Sequence, residues 1–204
     1  MTRWVTGVGS RETPAWAFSM LRHVLQAHAA EGYGIRTGCA RLGGDVAARE
    51  AAATSGCPVQ VYTVDKGHFP GSIRFDHQSA AVQSAALQLA ERLHPAWRWQ
   101  RSTYVRQLHA RNGFQCLSTD LASPSDKLIC WAPKSVLDED GRLQSVGGGT
   151  GQAVRVAHEF GVPAFNLDLP AHRQELASYL VGFEMPVEVH QDQEEEAPQL
   201  GLFR

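Results

Sequence analysis

The chain has no apolar run approaching the ~18 residues a membrane span needs, so no membrane partner is expected. Its four cysteines (Cys39, Cys57, Cys116 and Cys130) lie far apart and include no CxxC pair. A zinc ribbon and a disulfide framework are thereby set aside, and a reducing cytoplasm is the expected compartment. Nine histidines are present, but neither an HExxH string nor a Cys/His cluster. No metal ligand set and no cofactor is therefore expected. The first residues, from Met1 to Gly7, enter a strand-like pattern at once and lack the apolar core of a signal peptide. Internal repeats are absent. A hydrophobic fraction of 43% with 20% charged residues excludes disorder throughout, a collagen-like chain and a coiled coil.

What the 204 residues do contain is one alternation of strand-like and helix-like stretches, enough for one full-sized core. Strands are expected at 4–8, 33–36, 59–64, 127–131 and 162–167. Helices are expected at 14–30, 45–55, 79–93, 99–111, 151–160 and 171–183. A polar loop is expected at 65–76, and a loop or hairpin at 134–147. Such alternation with short connections predicts an α/β fold, a Rossmann-like parallel sheet with helices on both faces. The domain spans 1–183. Residues 184–204 hold six acids and one base and read as a flexible, disordered acidic tail, which leaves 18 bases and 15 acids in the body. That weak positive balance suits an anionic ligand without demanding nucleic acid.

Three glycine-rich turns each follow an expected strand and open a helix. They are Gly7-Val8-Gly9-Ser10-Arg11, Gly38-Cys39-Ala40-Arg41-Leu42-Gly43-Gly44-Asp45 and Gly147-Gly148-Gly149-Thr150-Gly151. In a parallel sheet such turns meet at the carboxyl ends of the strands, where ligands bind. Glycine lets backbone approach a phosphate, and a helix N-terminus supplies free N–H groups. Glycines also make tight turns without any ligand, but three converging turns favour a nucleotide or nucleotide-derived ligand.

These strings resemble a known superfamily. Gly9-Ser10-Arg11, then Thr37-Gly38-Cys39-Ala40 and Gly43-Gly44-Asp45-Val46-Ala47-Ala48-Arg49-Glu50-Ala51-Ala52, resemble the Rossmann-like core of the DNA-processing protein A (DprA/Smf) family, with its GSR and SGxAxGxDxxAHxxAL-like stretches. Leu108-His109-Ala110-Arg111-Asn112 and Gly148-Gly149-Thr150-Gly151 resemble the MxxRK and PGGxGTxxE motifs of the LOG nucleotide phosphoribohydrolases. Both groups belong to the SLOG superfamily. The resemblance covers residues 4–168 and is strongest to small phage-encoded, DprA-like SLOG proteins with HARN and GGTGQA segments. It implies two functions. One is binding, with or without N-glycosidic hydrolysis, of a nucleotide derivative. The other is DprA-like binding of single-stranded DNA in phage or bacterial recombination or replication. Homodimers are common in the superfamily, so a second copy is a further expected partner.

The ligand-binding candidates are Gly9, Ser10, Arg11, Gly38, Gly43, Gly44, Asp45, His109, Arg111, Asn112, Gly148, Gly149, Thr150, Gly151 and Gln152. Arg111 stands where the LOG proteins place a ligand-binding arginine, and guanidinium matches phosphate bidentately; the alternative is a surface arginine at a helix C-terminus. Arg11 is expected at the same phosphates. Asp45 either accepts a ribose hydroxyl or caps its helix. Asn112 either reads a base edge or caps the helix before Gly113. Arg155 occupies the place of the Glu in the LOG motif. An arginine cannot stabilise positive charge at an anomeric carbon. Hydrolysis would need Asp45, Asp120 or Glu159 in its place, so whether the chain is an enzyme stays open and no catalytic residue is named.

Residues 94–106 interleave arginines with Trp97, Trp99 and Tyr104, which suits stacked bases beside a phosphate backbone and equally suits an amphipathic helix packing a tryptophan on the sheet. Lys66-Gly67 and Ser72-Ile73-Arg74 read as a lid. The string Gln199-Leu200-Gly201-Leu202-Phe203 resembles the QLxLF motif by which bacterial proteins dock on the β sliding clamp, through Gln199, Leu200, Leu202 and Phe203. Their alternative is folding back onto the protein's own surface.

Overall fold

The structure is a computed structural model that describes residues 2–67 and 69–184. The clamp-like residues Gln199, Leu200, Leu202 and Phe203, the acidic stretch from 185 onward and His68 lie outside the described residues.

Among the described residues the order is β1 (Arg3–Gly9), α1 (Ala15–Ala30), β2 (Tyr33–Gly38), α2 (Gly44–Ser55), β3 (Val59–Thr63), β4 (Ile73–Arg74), α3 (Ala80–Leu93), α4 (Thr103–Leu117), β5 (Lys127–Trp131), β6 (Val136–Leu137), β7 (Leu143–Ser145), α5 (Thr150–Glu159), β8 (Ala164–Asn166) and α6 (Pro170–Glu175). Six strands pair in the order β4-β3-β2-β1-β5-β8, every pairing parallel. β6 and β7 form a separate antiparallel hairpin. The chain thus has the Rossmann-like α/β fold expected from its strand–helix alternation.

Alternation along the strands sorts the two faces. Val5 of β1 and Ile129 of β5 join Leu21, Leu25, Ala48 and Ala51 from α1 and α2. Val8, Leu128 and Cys130 point the other way, onto Cys116, Leu117, Ala153 and Val154 of α4 and α5. Phe114 and Leu117 are fully buried and fix α4 to the sheet. Each contributes about 1.5–3 kcal/mol by burial.

Several boundaries move from the sequence reading. The 65–76 segment contains the short parallel strand β4, which pairs Tyr62 with Ile73. α4 starts at Thr103, capped by Ser102 Oγ, and continues through Gly113 to Leu117. Arg111 and Asn112 are therefore mid-helix, which removes both the C-terminal arginine and the C-cap asparagine as readings. Gly113 does not stop the helix because α3 packs tightly there: a Cβ on it would sit 3.3 Å from Leu89 Cδ2. Trp97 packs against the core in a single 3-10 turn, whereas Trp99 is 65% exposed. The final expected helix is split into α6 and a 3-10 turn, Ala177–Leu180.

Strand order places the ligand-binding edge. From β1 the chain crosses to β2 on one side, and from β5 it crosses to β8 on the other. β1 and β5 are neighbours, with Gly9 opposite Trp131 at their carboxyl ends. A crevice opens beyond such a switch point, where open α/β sheets bind ligands.

Candidate functional site

A cleft of about 450 Å³ lies at that edge. Val8, Gly9, Ser10, Arg11 and Glu12 line it after β1, Gly147, Gly148, Gly149 and Thr150 line it before α5, and Ala40 and Asp45 come from the β2–α2 turn. Its remaining wall is α4, through Val105, Leu108, His109, Arg111, Asn112 and Gln115, with Ala153 of α5.

The glycines divide into two roles. Gly148, in the left-handed region at φ +66°, and Gly149 have open space where a Cβ would be, so their backbone is accessible from the cleft. The other turns are glycine-rich because backbone meets backbone. A Cβ on Gly43 would strike the Ser10 carbonyl oxygen, and one on Gly44 would lie 2.5 Å from Gly9 Cα. A Cβ on Gly38 would strike the Asp45 carboxylate and the Arg111 guanidinium, and one on Gly151 would strike the Val146 carbonyl. Of the sequence candidates, Gly38, Gly43, Gly44, Gly151 and Gln152 do not line the cleft. Gln152 is fully buried, with its amide toward the Ala90 carbonyl and its oxygen accepting from Arg155 Nη2 at 3.1 Å.

Arg111 is half-buried on α4. With the Gln115 amide oriented to satisfy its neighbours, Arg111 Nη1 donates to the Gln115 oxygen at 2.6 Å, and that oxygen also accepts from Gly38 N at 2.8 Å. Arg111 Nε has no partner, and among the described residues no carboxylate lies within ion-pairing distance of the guanidinium. Burial lowers the Arg111 pKa from the usual arginine value, opposed by Asp45. Arginine nonetheless stays charged in proteins.

Asp45 is 6% exposed and accepts the Ala40 backbone N–H at 3.1 Å. Gly43, not Asp45, is the N-cap of α2. Burial raises the Asp45 pKa, with Arg111, the Ala40 amide, Arg49 and Arg11 acting against it. Arg49 holds the turn itself, donating to Gly38 O at 2.8 Å and Ala40 O at 2.6 Å.

Asn112 donates its amide to Gly149 O at 3.0 Å, so this group holds the glycine turn. His109 is 9% exposed, its ring centroid 4.3 Å from that of His94, and its Nδ1 has no partner. Burial, then the neighbouring charges of His94, Arg155 and Arg111, lower its pKa to about 4. His109 is therefore a neutral ring at neutral pH. The Ser10 hydroxyl accepts from Glu12 N at 3.1 Å and Ser10 N donates to Trp131 O at 2.9 Å, which fixes the first turn.

Two of the three carboxylates considered as replacements for the missing Glu are elsewhere. Asp120 accepts from Ala122 N, Ser123 N and Ser123 Oγ in a distant loop. Glu159 pairs with Arg92 at 2.5 Å. Asp45 and Glu12 are the carboxylates lining the cleft. Arg155 donates to Ser145 Oγ at 2.7 Å and braces the β6–β7 hairpin against α5. Gln115 lines the site from outside the strings singled out in the sequence, and Val105 and Leu108 line it from within them without having been named as ligand-binding candidates. Gln115 follows Arg111 by four residues on one helix face, a relation that an expected helix ending at residue 111 conceals.

Among the described residues no three His, Cys, Asp or Glu side chains group as a metal site requires, and no helix is long and apolar enough to cross a membrane. No family model matches the chain, and no curated protein matches it. Among solved structures it is similar to DNA processing protein A (DprA) from Streptococcus pneumoniae, at 15% identity and a TM-score of 0.46 over 90% of this chain. The chain spans 57% of the length of that protein.

Proposed function

We propose that the cleft binds a nucleotide or nucleotide-derived ligand through its phosphate. The observation that carries this reading is Arg111, a half-buried guanidinium with no ion pair and an unpartnered Nε, facing the same cleft as the open backbone of Gly148 and Gly149. Asp45, beyond ion-pairing distance, offsets only part of the cost of desolvating this cation, and a bound anion would offset more of it. Arg111 would take the phosphate bidentately, and the turn into α5 would add N–H groups. Arg11 sits at the rim, Val8, Val105, Leu108 and Ala153 offer an apolar wall for a base, and Asp45 supplies an acceptor for a ribose hydroxyl. The SLOG resemblance points the same way. No side chain is assigned a catalytic role: Arg155 is engaged with Ser145 and Gln152, and N-glycosidic hydrolysis would fall to Asp45 or Glu12, the carboxylates lining the cleft.

Calorimetric titration with 5′-mononucleotides and the matching nucleosides tests the reading. Saturable binding of the nucleotides, lost in Arg111→Ala and absent for nucleosides, is expected. Equal binding of nucleoside and nucleotide would overturn the phosphate anchor.

Exposed aromatics favour a second reading, single-stranded DNA binding in recombination or replication. Trp99 is 65% exposed with the Arg98 guanidinium 4.9 Å from its ring, and Tyr104 is 49% exposed. Such pairs stack bases beside phosphates. Affinity for single strands that falls steeply with salt would support it, and weak, salt-independent affinity would remove it.

A further inference from the structure

A second cleft, of about 600 Å³, adjoins the first, and Arg11 and Ala40 line both. Its other walls include Arg41 and Leu42 from the β2–α2 turn, Lys66 after β3 and Tyr104 from the first turn of α4. Arg11, Arg41 and Lys66 have no ion pair or side-chain hydrogen bond among the described residues, and Asp65 is the one acid in the lining. Leu42 is 63% exposed and Tyr104 49%, so an apolar edge and an aromatic ring stand in solvent beside three unpaired cations.

One helix face joins the two clefts. Tyr104, Leu108, Arg111 and Gln115 succeed one another at spacings of four, three and four residues, which places them in one stripe along α4. Tyr104 serves the second cleft and the other three serve the first. Each cleft falls in the 300–1,000 Å³ range that holds one small ligand, and a single mononucleotide on Arg111 leaves the second cleft unfilled.

Resting on the phosphate-anchored reading above, we propose that the ligand is a dinucleotide, whose first unit sits on Arg111 and whose second occupies the cleft of Arg41, Lys66 and Tyr104. Arg11, common to both, takes the linking phosphate. Tyr104 offers its ring to the second base, and Arg41 and Lys66 neutralise the phosphate charge beside it.

Calorimetry with the full chain tests this. The probes are the four 5′-mononucleotides, the matching 5′-phosphorylated homodinucleotides in ribo and deoxy form, and single-stranded homodecamers. The dinucleotide is expected to bind about tenfold or more tightly than its mononucleotide, from one added stacked base. Arg41→Ala, Lys66→Ala and Tyr104→Ala combined should erase that gain and leave mononucleotide affinity unchanged. All three side chains are exposed, so a melting temperature equal to wild type is expected as the folding control. Equal affinities for one and two units, or a gain that survives the triple variant, would overturn the dinucleotide while leaving the phosphate anchor standing. A further steep gain at ten nucleotides would replace it with a continuous strand path. Failure of every probe to bind would remove the phosphate-anchored reading and the dinucleotide together.

Discussion

Asn112 donates its side-chain amide to the carbonyl of Gly149 across 3.0 Å, and this bond sets the separation between the arginine-bearing helix and the open glycine turn. Helix and turn both contribute to the proposed phosphate site, so their spacing matters more than either alone. Asn112→Ala should cost about 0.5–1.5 kcal/mol of stability, because a part-buried hydrogen bond is lost while the exposed Gly149 carbonyl keeps the Gln152 backbone N–H. Nucleotide affinity should fall several-fold further than that loss alone explains at temperatures where the variant is folded. Thermal melts beside titrations separate the two. A variant that melts lower but binds as wild type would make Asn112 a packing residue only.

Arg111 should show the opposite balance. Replacing a half-buried cation that has no ion pair with an apolar chain of similar length is often neutral or stabilising. Arg111→Met is expected to melt within about 1 kcal/mol of wild type, or above it, while losing nucleotide binding. Because Arg111 opposes the burial-driven rise of the Asp45 pKa, any gain should be larger at acidic pH, where Asp45 protonates more readily. A loss above about 2 kcal/mol with binding intact would assign Arg111 to the fold instead.

The sheet was legible because its strands are short apolar runs between glycine turns, and Lys127–Trp131 falls at its expected boundaries. β4 was not, since two residues carry no period. α4 was misread at its C-terminal end because Asn112-Gly113 has the composition of a helix stop, but tertiary packing against Leu89 overrides it; at its other end the chain makes a separate 3-10 turn at Trp97–Trp99 and α4 begins only after Ser102. That error hid Gln115, which lies beyond the supposed stop. The three glycine turns do converge, yet the sequence could not say which glycines face a ligand and which face backbone. Gly43 and Gly148 both have positive φ and differ only in what lies where a Cβ would be.

His109 makes stability depend on pH. Its pKa is about 4 in the folded chain against an ordinary 6.5. The unfolded chain therefore binds the proton more readily between those values. Stability linked to this group is fully present well above pH 6.5 and is lost as pH falls through 6.5 toward 4, by on the order of 3 kcal/mol. His28, His94 and His172 are shifted in the same direction by burial, so the whole-protein slope is their sum. His109→Gln isolates one share: its urea midpoint should fall less between pH 7 and pH 4.5 than that of wild type. A bound phosphate should raise the His109 pKa, visible as a shifted imidazole titration by NMR. Identical slopes for variant and wild type would show that His109 is already protonated or solvated in the folded chain.

Gln199, Leu200, Leu202 and Phe203 lie outside the described residues, and their prediction stands on sequence alone. All four specified positions of the QLxLF pattern match, and from average composition a given window does so by chance on the order of one time in tens of thousands. An acidic stretch precedes them: Glu194, Glu195 and Glu196 follow Asp192 and are poor candidates for a hydrophobic core. Two leucines and a phenylalanine in that setting suit insertion into preformed apolar pockets of a partner. A labelled peptide of residues 194–204 is therefore expected to bind a bacterial β sliding clamp saturably. Leu202→Ala with Phe203→Ala should weaken it at least about tenfold, since each removes a side chain worth roughly 1.5–3 kcal/mol when buried. The full chain carrying the same pair of substitutions should keep its nucleotide affinity, because the proposed cleft residues are untouched. If the peptide fails to saturate, or the double substitution leaves its affinity unchanged, clamp docking is lost.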